Sequence, residues 1–119
     1  MAPRVLVVDD EPMLRRLVAR ALTDAGYMVD EASDGLAGWE LARSTPFDLV
    51  ITDSRMPRLS GPELVRRLHE FNPALPVLQL SGSDRRPMVI PTLFKPFEMA
   101  ELVRAVRELL AESPANPES

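Results

Sequence analysis

Three short apolar runs constrain the fold of this chain more than any other feature of its sequence. They are VLVV at residues 5–8, LVI at 49–51 and VLQL at 77–80. A strand that is apolar at nearly every position is buried on both faces, as in a parallel sheet covered by helices. The runs therefore predict a central parallel sheet with a layer of helices on each side.

Between the apolar runs the hydrophobic period changes to that of a helix. A stripe from Leu14 to Ala25 follows Pro12 and stops at Gly26, which is typical of a helix. The other predicted elements are a strand over 27–32, a helix over 36–43, a strand over 47–53, a helix from Gly61 to Phe71, a strand over 76–80, a strand from Thr92 to Phe94 and a helix beginning near Pro96 and Phe97. Because parallel strands need helical crossovers, this alternation predicts an α/β fold.

The length of 119 residues, 45% of them apolar, suffices for one domain with its own core. We expect this domain to span residues 3–112. The last segment, SPANPES, is polar and contains two prolines. Residues 113–119 are therefore expected to form a flexible C-terminal tail or the start of a linker.

Charge and composition exclude several classes of function. With 14 basic and 18 acidic residues, the net charge of -4 argues against direct nucleic-acid binding. The sequence contains no cysteine, which excludes disulfides and thiolate sites. No apolar run has the length of a membrane span and no signal-peptide pattern is present. We therefore expect a cytoplasmic protein that does not bind membranes.

Acidic residues follow two of the predicted strands. Asp9 and Asp10 come directly after the first strand, and Asp53 ends the third. Neighbouring strands lie about 5 Å apart, so three carboxylates at one sheet edge can reach a single ion. Oxygen ligands without histidine or cysteine favour a hard cation such as Mg2+. The alternative is that Asp9 and Asp10 only cap the first helix.

Two further polar residues are predicted at the same edge. Ser81 ends the fourth strand, and Lys95 follows the short apolar segment TLF. Each residue alone is common at the end of a strand. Together with the three aspartates they indicate one polar site built from four strand ends.

Four motifs in this order resemble the receiver domain of two-component response regulators and hybrid histidine kinases. They are VLVVDDEP, LVITDSRMPRLSG, LQLSG and FKPF. The resemblance covers residues 4–111. It implies a flavodoxin-like, doubly wound domain with a five-stranded parallel sheet in the order 2-1-3-4-5. It further implies a domain of a phosphorelay that transfers a phosphoryl group within a signal-transduction pathway.

The resemblance also implies a role for each matching residue. Asp53 would be the phospho-acceptor, and Mg2+ would be held by Asp9, Asp10, Asp53 and the backbone carbonyl of Arg55. A phosphoryl transfer needs a nucleophile and neutralisation of the phosphoryl oxygens, which a metal ion and an ammonium group supply.

Two more roles follow from the resemblance. Lys95 would pair with the phosphoryl group, and Ser81 would hydrogen-bond it. In this family the bond corresponding to Lys95-Pro96 is typically cis, and X-Pro bonds are the ones for which cis is accessible.

The implied partners are a histidine kinase or a histidine phosphotransfer protein, and a small-molecule phospho-donor is a further possibility. Such a domain is not an enzyme beyond its own phosphorylation and dephosphorylation. The alternative is a protein-interaction module of the same fold that signals without phosphorylation. The motifs specify neither the kinase nor the oligomeric state, and they fit both a free-standing regulator and a segment of a hybrid kinase.

The sequence departs from the family pattern between Ser81 and Lys95. Only 13 residues separate them, and these include Pro87 and Pro91. Helix four of the family should therefore be shortened or replaced by a loop.

The usual readout residues also differ. Thr92 stands where the family has an aromatic switch residue, so the switch is predicted to be altered. Arg55 and Ser83 flank the predicted phosphoryl site and are expected to influence the lifetime of the phosphorylated form.

Overall fold

The computed structural model describes residues 2–82 and 90–112. Its elements in chain order are β1 (Arg4–Val8), α1 (Pro12–Asp24), β2 (Met28–Ala32), α2 (Gly35–Ser44), β3 (Leu49–Asp53), α3 (Gly61–Phe71), β4 (Val77–Ser81), β5 (Thr92–Phe94) and α4 (Met99–Glu112). Strands and helices alternate from β1 to β4, as the change in hydrophobic period predicted, and β5 is the next described element after β4.

All five strands form one parallel sheet in the order β2-β1-β3-β4-β5, and the predicted fold class is confirmed. The first apolar run packs on both sides of the sheet because successive side chains of a strand point to opposite faces. Leu6 and Val8 lie in the core beneath α2 and α3, whereas Val5 and Val7 lie in the core beneath α1 and α4. Burial on both faces explains why β1 is apolar at every position from Val5 to Val8.

The last helix begins later than the sequence predicted. Its first residue is Met99, whereas the prediction placed the start near Pro96 and Phe97. The backbone amide of Glu98 donates to the Glu101 carboxylate at 3.1 Å, and the Glu98 carbonyl accepts from the Glu101 amide. Because a side chain satisfies this amide, the helix starts only after Glu98.

The shortened connection predicted between β4 and β5 falls mainly on residues 83–89, which lie outside the described residues, as does the predicted tail over 113–119. Within the described ranges, four helices flank the sheet. None of these helices is both long enough and apolar enough to cross a membrane.

Candidate functional site

Asp9, Asp10 and Asp53 meet at the carboxyl edge of the sheet. β1 and β3 are neighbours in parallel register, with Val8 opposite Thr52, so the residues that follow them lie side by side. Each of the three aspartates offers a carboxylate oxygen within 4.8 Å of those of the other two. Asp9 and Asp53 are buried, and Asp10 is exposed.

Asp9 is held by its backbone and by one of its two carboxylate oxygens. Its amide donates to the Ala32 carbonyl at 3.1 Å, and its Oδ1 accepts from the Glu11 amide at 3.0 Å. Its Oδ2 is buried and has no hydrogen-bond donor within the described part of the chain. Glu11, the residue before α1, makes no side-chain cap, and among the described residues the Asp9 side chain accepts only from the Glu11 amide. Asp9 is therefore not a helix cap in the usual sense.

The pKa of Asp9 is raised to about 6. Burial is the largest cause, because it disfavours the charged carboxylate. The Glu11 amide and the Lys95 charge lower this pKa, whereas the negative charges of Asp53 and Asp10 raise it further. A buried carboxylate with an unpaired oxygen beside two other carboxylates is an environment that a bound cation would stabilise.

The donor set fits a hard divalent cation. All three side chains offer oxygen atoms, which suit Mg2+ or Ca2+ better than softer metals. The buried Oδ2 of Asp9, which lacks a protein donor in the described residues, is the atom that a metal ion would satisfy. The side chains at this edge are therefore compatible with the magnesium site that the sequence predicted.

Lys95 brings a positive charge to the same edge. Its Nζ lies 3.0 Å from Asp53 Oδ1, and its backbone amide donates to the Ser81 carbonyl at 2.8 Å. Burial lowers the Lys95 pKa, but the hydrogen bond to Asp53 and the charges of Asp53, Asp9 and Glu11 outweigh it, so the net shift is upward. Lys95 is thus firmly protonated. The Lys95-Pro96 bond is cis, as the family resemblance implied.

The other predicted site residues lie at the ends of β4 and β5 and in the loop after β3, except for Ser83. Ser81 ends β4, one residue after Leu80, which lies opposite Asp53, and Ser81 is fully buried. Arg55 is exposed in the loop that follows β3. Thr92 begins β5, and its hydroxyl donates to the Ile90 carbonyl at 3.1 Å. Ser83 lies outside the described residues.

The loop between β3 and α3 is anchored to the start of α2. Arg58 has a φ of 73°, and its Nη1 lies 3.4 Å from Asp34 Oδ2. Asp34 also caps α2 by accepting from the Ala37 amide at 2.8 Å. The Ala37 amide, followed by Arg58, lowers the pKa of Asp34 against the opposing effect of burial. This contact of Asp34 with the loop was not predicted from the sequence.

Gly61 lies where the chain passes close behind the end of β3. A Cβ atom at this position would lie 2.3 Å from the Asp53 carbonyl oxygen and 2.8 Å from the Ser54 Cα. Both contacts are with backbone, which cannot move aside without shifting the end of β3.

We therefore expect Gly61→Ala to lower the free energy of unfolding by about 2 to 3 kcal/mol, as measured by chemical denaturation. Gly82→Ala is the matched control, because among the described residues its Cβ would meet only the Lys95 Cδ at 3.8 Å. This control should change the same free energy by less than about 0.5 kcal/mol. Equal stability of the two variants would show that the close approach at Gly61 has no energetic consequence.

Arg15 was not identified as a site residue from the sequence. Its guanidinium contacts the Asp9 carbonyl and the Glu31 carboxylate. Its position in the first turn of α1 could have predicted this contact. Helical side chains lean towards the N-terminus of their helix, and here that end carries the acidic pair.

Comparison with known proteins agrees with this geometry. The family model described as "Response regulator receiver domain" matches residues 5–107. Transcriptional regulatory protein CusR of Escherichia coli (strain K12) is 35% identical over 120 residues, which cover 94% of this chain and 53% of CusR. Response regulator receiver protein CpdR of Brucella abortus (strain 2308) is 32% identical, with coverage of 90% of this chain and 96% of CpdR.

A solved structure gives the same picture. The response regulator receiver protein from Sinorhizobium medicae WSM419 superposes with a TM-score of 0.86 at 32% identity, covering 93% of this chain and 96% of that one. The chain spans about half the length of several curated relatives that it matches, among them CusR. On both sequence and structure, the chain belongs to the response regulator receiver domain family of two-component signal transduction.

Proposed function

We propose that this domain accepts a phosphoryl group on Asp53 from the phosphohistidine of a histidine kinase or a histidine phosphotransfer protein, with Mg2+ as cofactor. The observation that carries the proposal is the ion pair between Lys95 Nζ and Asp53 Oδ1 at 3.0 Å, inside a cluster of three carboxylates. A module that signalled only by protein contacts would gain nothing from these charges, which disfavours the non-phosphorylating alternative.

In the proposed reaction a carboxylate oxygen of Asp53 attacks the phosphorus atom of the donor. A new O–P bond forms while the P–N bond to the donor imidazole breaks, and the electron pair of that bond leaves with the imidazole. Asp9, Asp10, Asp53 and the Arg55 carbonyl would hold Mg2+. When bound, the metal neutralises negative charge on the phosphoryl oxygens.

Lys95 and Ser81 would act on the phosphoryl group itself. The Lys95 ammonium, which now contacts Asp53 Oδ1, would pair with a phosphoryl oxygen once Asp53 carries the phosphoryl group. The Ser81 hydroxyl would donate a hydrogen bond to the same group. The domain would also catalyse the hydrolysis of its own acyl phosphate, with Arg55 and Ser83 influencing the rate and Thr92 replacing the usual aromatic switch residue.

The proposed setting of the domain follows from its chemistry. Phosphohistidine donors are made from ATP, so we place the domain in the cytoplasm. We take residues 3–112 as the receiver unit. The chain spans about half of several relatives. We propose that the domain acts on an output partner, either as a free-standing regulator or as a segment of a hybrid kinase.

The test is incubation of the domain with Mg2+ and a small acyl phosphate, followed by intact-mass measurement. We expect one phosphoryl group per chain, and we expect a chelator to reduce the yield at least tenfold, because the phosphoryl charge would then lack its metal ion. No adduct in the presence of Mg2+, or the same yield with the chelator, would contradict the proposal.

A further inference from the structure

Arg15 bridges two parts of the chain that meet beside the carboxylate cluster. Its Nη1 donates to the Asp9 carbonyl oxygen at 2.9 Å, and its Nε donates to Glu31 Oε1 at 3.0 Å. The Arg15 side chain is only 14% exposed, which is low for an arginine near a helix start. The guanidinium is therefore held in place by these two partners and is not a freely moving surface group.

The geometry follows from the position of Arg15 in α1. The helix begins at Pro12, and the Arg15 amide already bonds the Glu11 carbonyl at 3.0 Å. A side chain at this position leans back over the segment before the helix, where Asp9 lies. Glu31 is on β2 directly opposite Val7, so it provides an acceptor from the neighbouring strand.

The backbone of Asp9 is consequently fixed on both sides. Its amide donates to the Ala32 carbonyl on β2, and its carbonyl accepts from Arg15, which is itself tied to Glu31 on β2. Arg15 contacts the Asp9 backbone carbonyl, whereas the Asp9 side-chain Oδ1 accepts from the Glu11 amide. The guanidinium therefore orients the peptide group between Asp9 and Asp10 and does not bind the Asp9 carboxylate. The same peptide leads into Asp10.

We propose that Arg15 is a positioning residue for the metal ion. By clamping the Asp9-Asp10 peptide to β2, it holds both carboxylates in the orientation that Mg2+ requires. This inference rests on the proposed function, because it takes Asp9 and Asp10 as the ligands of Mg2+. Residues that orient metal ligands in this way affect affinity without contacting the metal.

The test is calorimetric titration of Mg2+ into the unphosphorylated domain. For Arg15→Ala we expect the dissociation constant to rise about tenfold. The Glu11 amide, which bonds Asp9 Oδ1, should exchange faster in this variant even without Mg2+. Phosphorylation should be slower at subsaturating Mg2+ and recover when Mg2+ saturates the site. Arg16→Ala is the control and should bind Mg2+ as the wild type does, because Arg16 is exposed.

Two further variants separate positioning from charge. Arg15→Lys keeps the charge but not the fork of donors, so we expect it to bind Mg2+ almost as weakly as Arg15→Ala. Glu31→Ala should weaken binding, and the double variant with Arg15→Ala should be no weaker than Arg15→Ala alone.

Full affinity in Arg15→Lys, or additive losses in the double variant, would overturn the positioning role. Wild-type affinity in Arg15→Ala would overturn it while leaving the proposed function intact. No Mg2+ binding by the wild type would instead contradict both the inference and the proposed cofactor.

Discussion

Replacing Asp53 with alanine is expected to lower the rate of phosphorylation by at least about 1,000-fold, because the substitution removes the attacking oxygen. Asp9 and Asp10 do not substitute for it, because the proposed reaction uses them as metal ligands. Lys95 would also lose its partner at 3.0 Å. The measurement is the time course of the phosphoryl adduct by intact mass, with Mg2+ and a small acyl phosphate.

The control for this experiment is Asp24→Ala. Asp24 is exposed at the end of α1, and its one ion pair among the described residues is with Arg20 at the surface. This variant should be phosphorylated at the wild-type rate, and circular dichroism should show both variants folded. An adduct that forms equally fast in folded Asp53→Ala would place the acceptor elsewhere.

Replacing Asp9 with asparagine is expected to stabilise the metal-free domain at pH 8. Burial is the main reason that the Asp9 pKa lies at about 6, above the ordinary value of 3.8. The native state therefore binds this proton more tightly than the unfolded state does. The contribution of Asp9 to wild-type stability should therefore fall as the pH rises from about 4 to about 6, and above this window the ionised carboxylate costs on the order of 3 kcal/mol.

Asparagine cannot ionise, so Asp9→Asn should gain part of that free energy, about 1 to 3 kcal/mol at pH 8, and lose the slope between pH 4 and 6. Mg2+ should stabilise the wild type more than the variant, because asparagine is the weaker ligand. At 100 times the dissociation constant it should stabilise the wild type by about 2.7 kcal/mol, and the variant by much less. The measurement is chemical denaturation at pH 5 and pH 8, with and without Mg2+.

Asp24→Asn is the control for this experiment, because its side chain is 66% exposed. Its stability should follow the wild type at both pH values and respond equally to Mg2+. If Asp9→Asn were less stable than the wild type at pH 8 without Mg2+, the ionised Asp9 carboxylate would not be a source of instability. The burial of Asp9 would then not be a reason to expect a cation.

The elements that carry the site could be predicted from sequence because they rest on short patterns. An apolar run ending in aspartate, such as VLVVDD, specifies both a buried strand and the edge at which its acidic residues lie. With the strands parallel, Asp53 and Lys95 had to reach the same edge. The structure places them there, 3.0 Å apart.

Contacts that depend on side-chain reach and on loop conformation could not be predicted in this way. The Arg58 φ of 73° brings its guanidinium to Asp34, and nothing in the sequence marks that residue as left-handed. The contact of Arg15 with the Asp9 carbonyl depends on how closely α1 approaches β2. The start of α4 depends on which side chain satisfies the Glu98 amide. Each is decided by tertiary packing and not by local pattern.

The most direct measurement is to locate the phosphoryl group on the chain. An acyl phosphate of aspartate is reduced by borohydride to homoserine, whereas an unmodified carboxylate is not. After phosphorylation and reduction, mass spectrometry of the peptide that contains β3 should show homoserine at position 53 and an unchanged carboxylate at Asp48. An unreduced Asp53 in a chain that carries a phosphoryl group elsewhere would contradict the assignment of Asp53 as the acceptor.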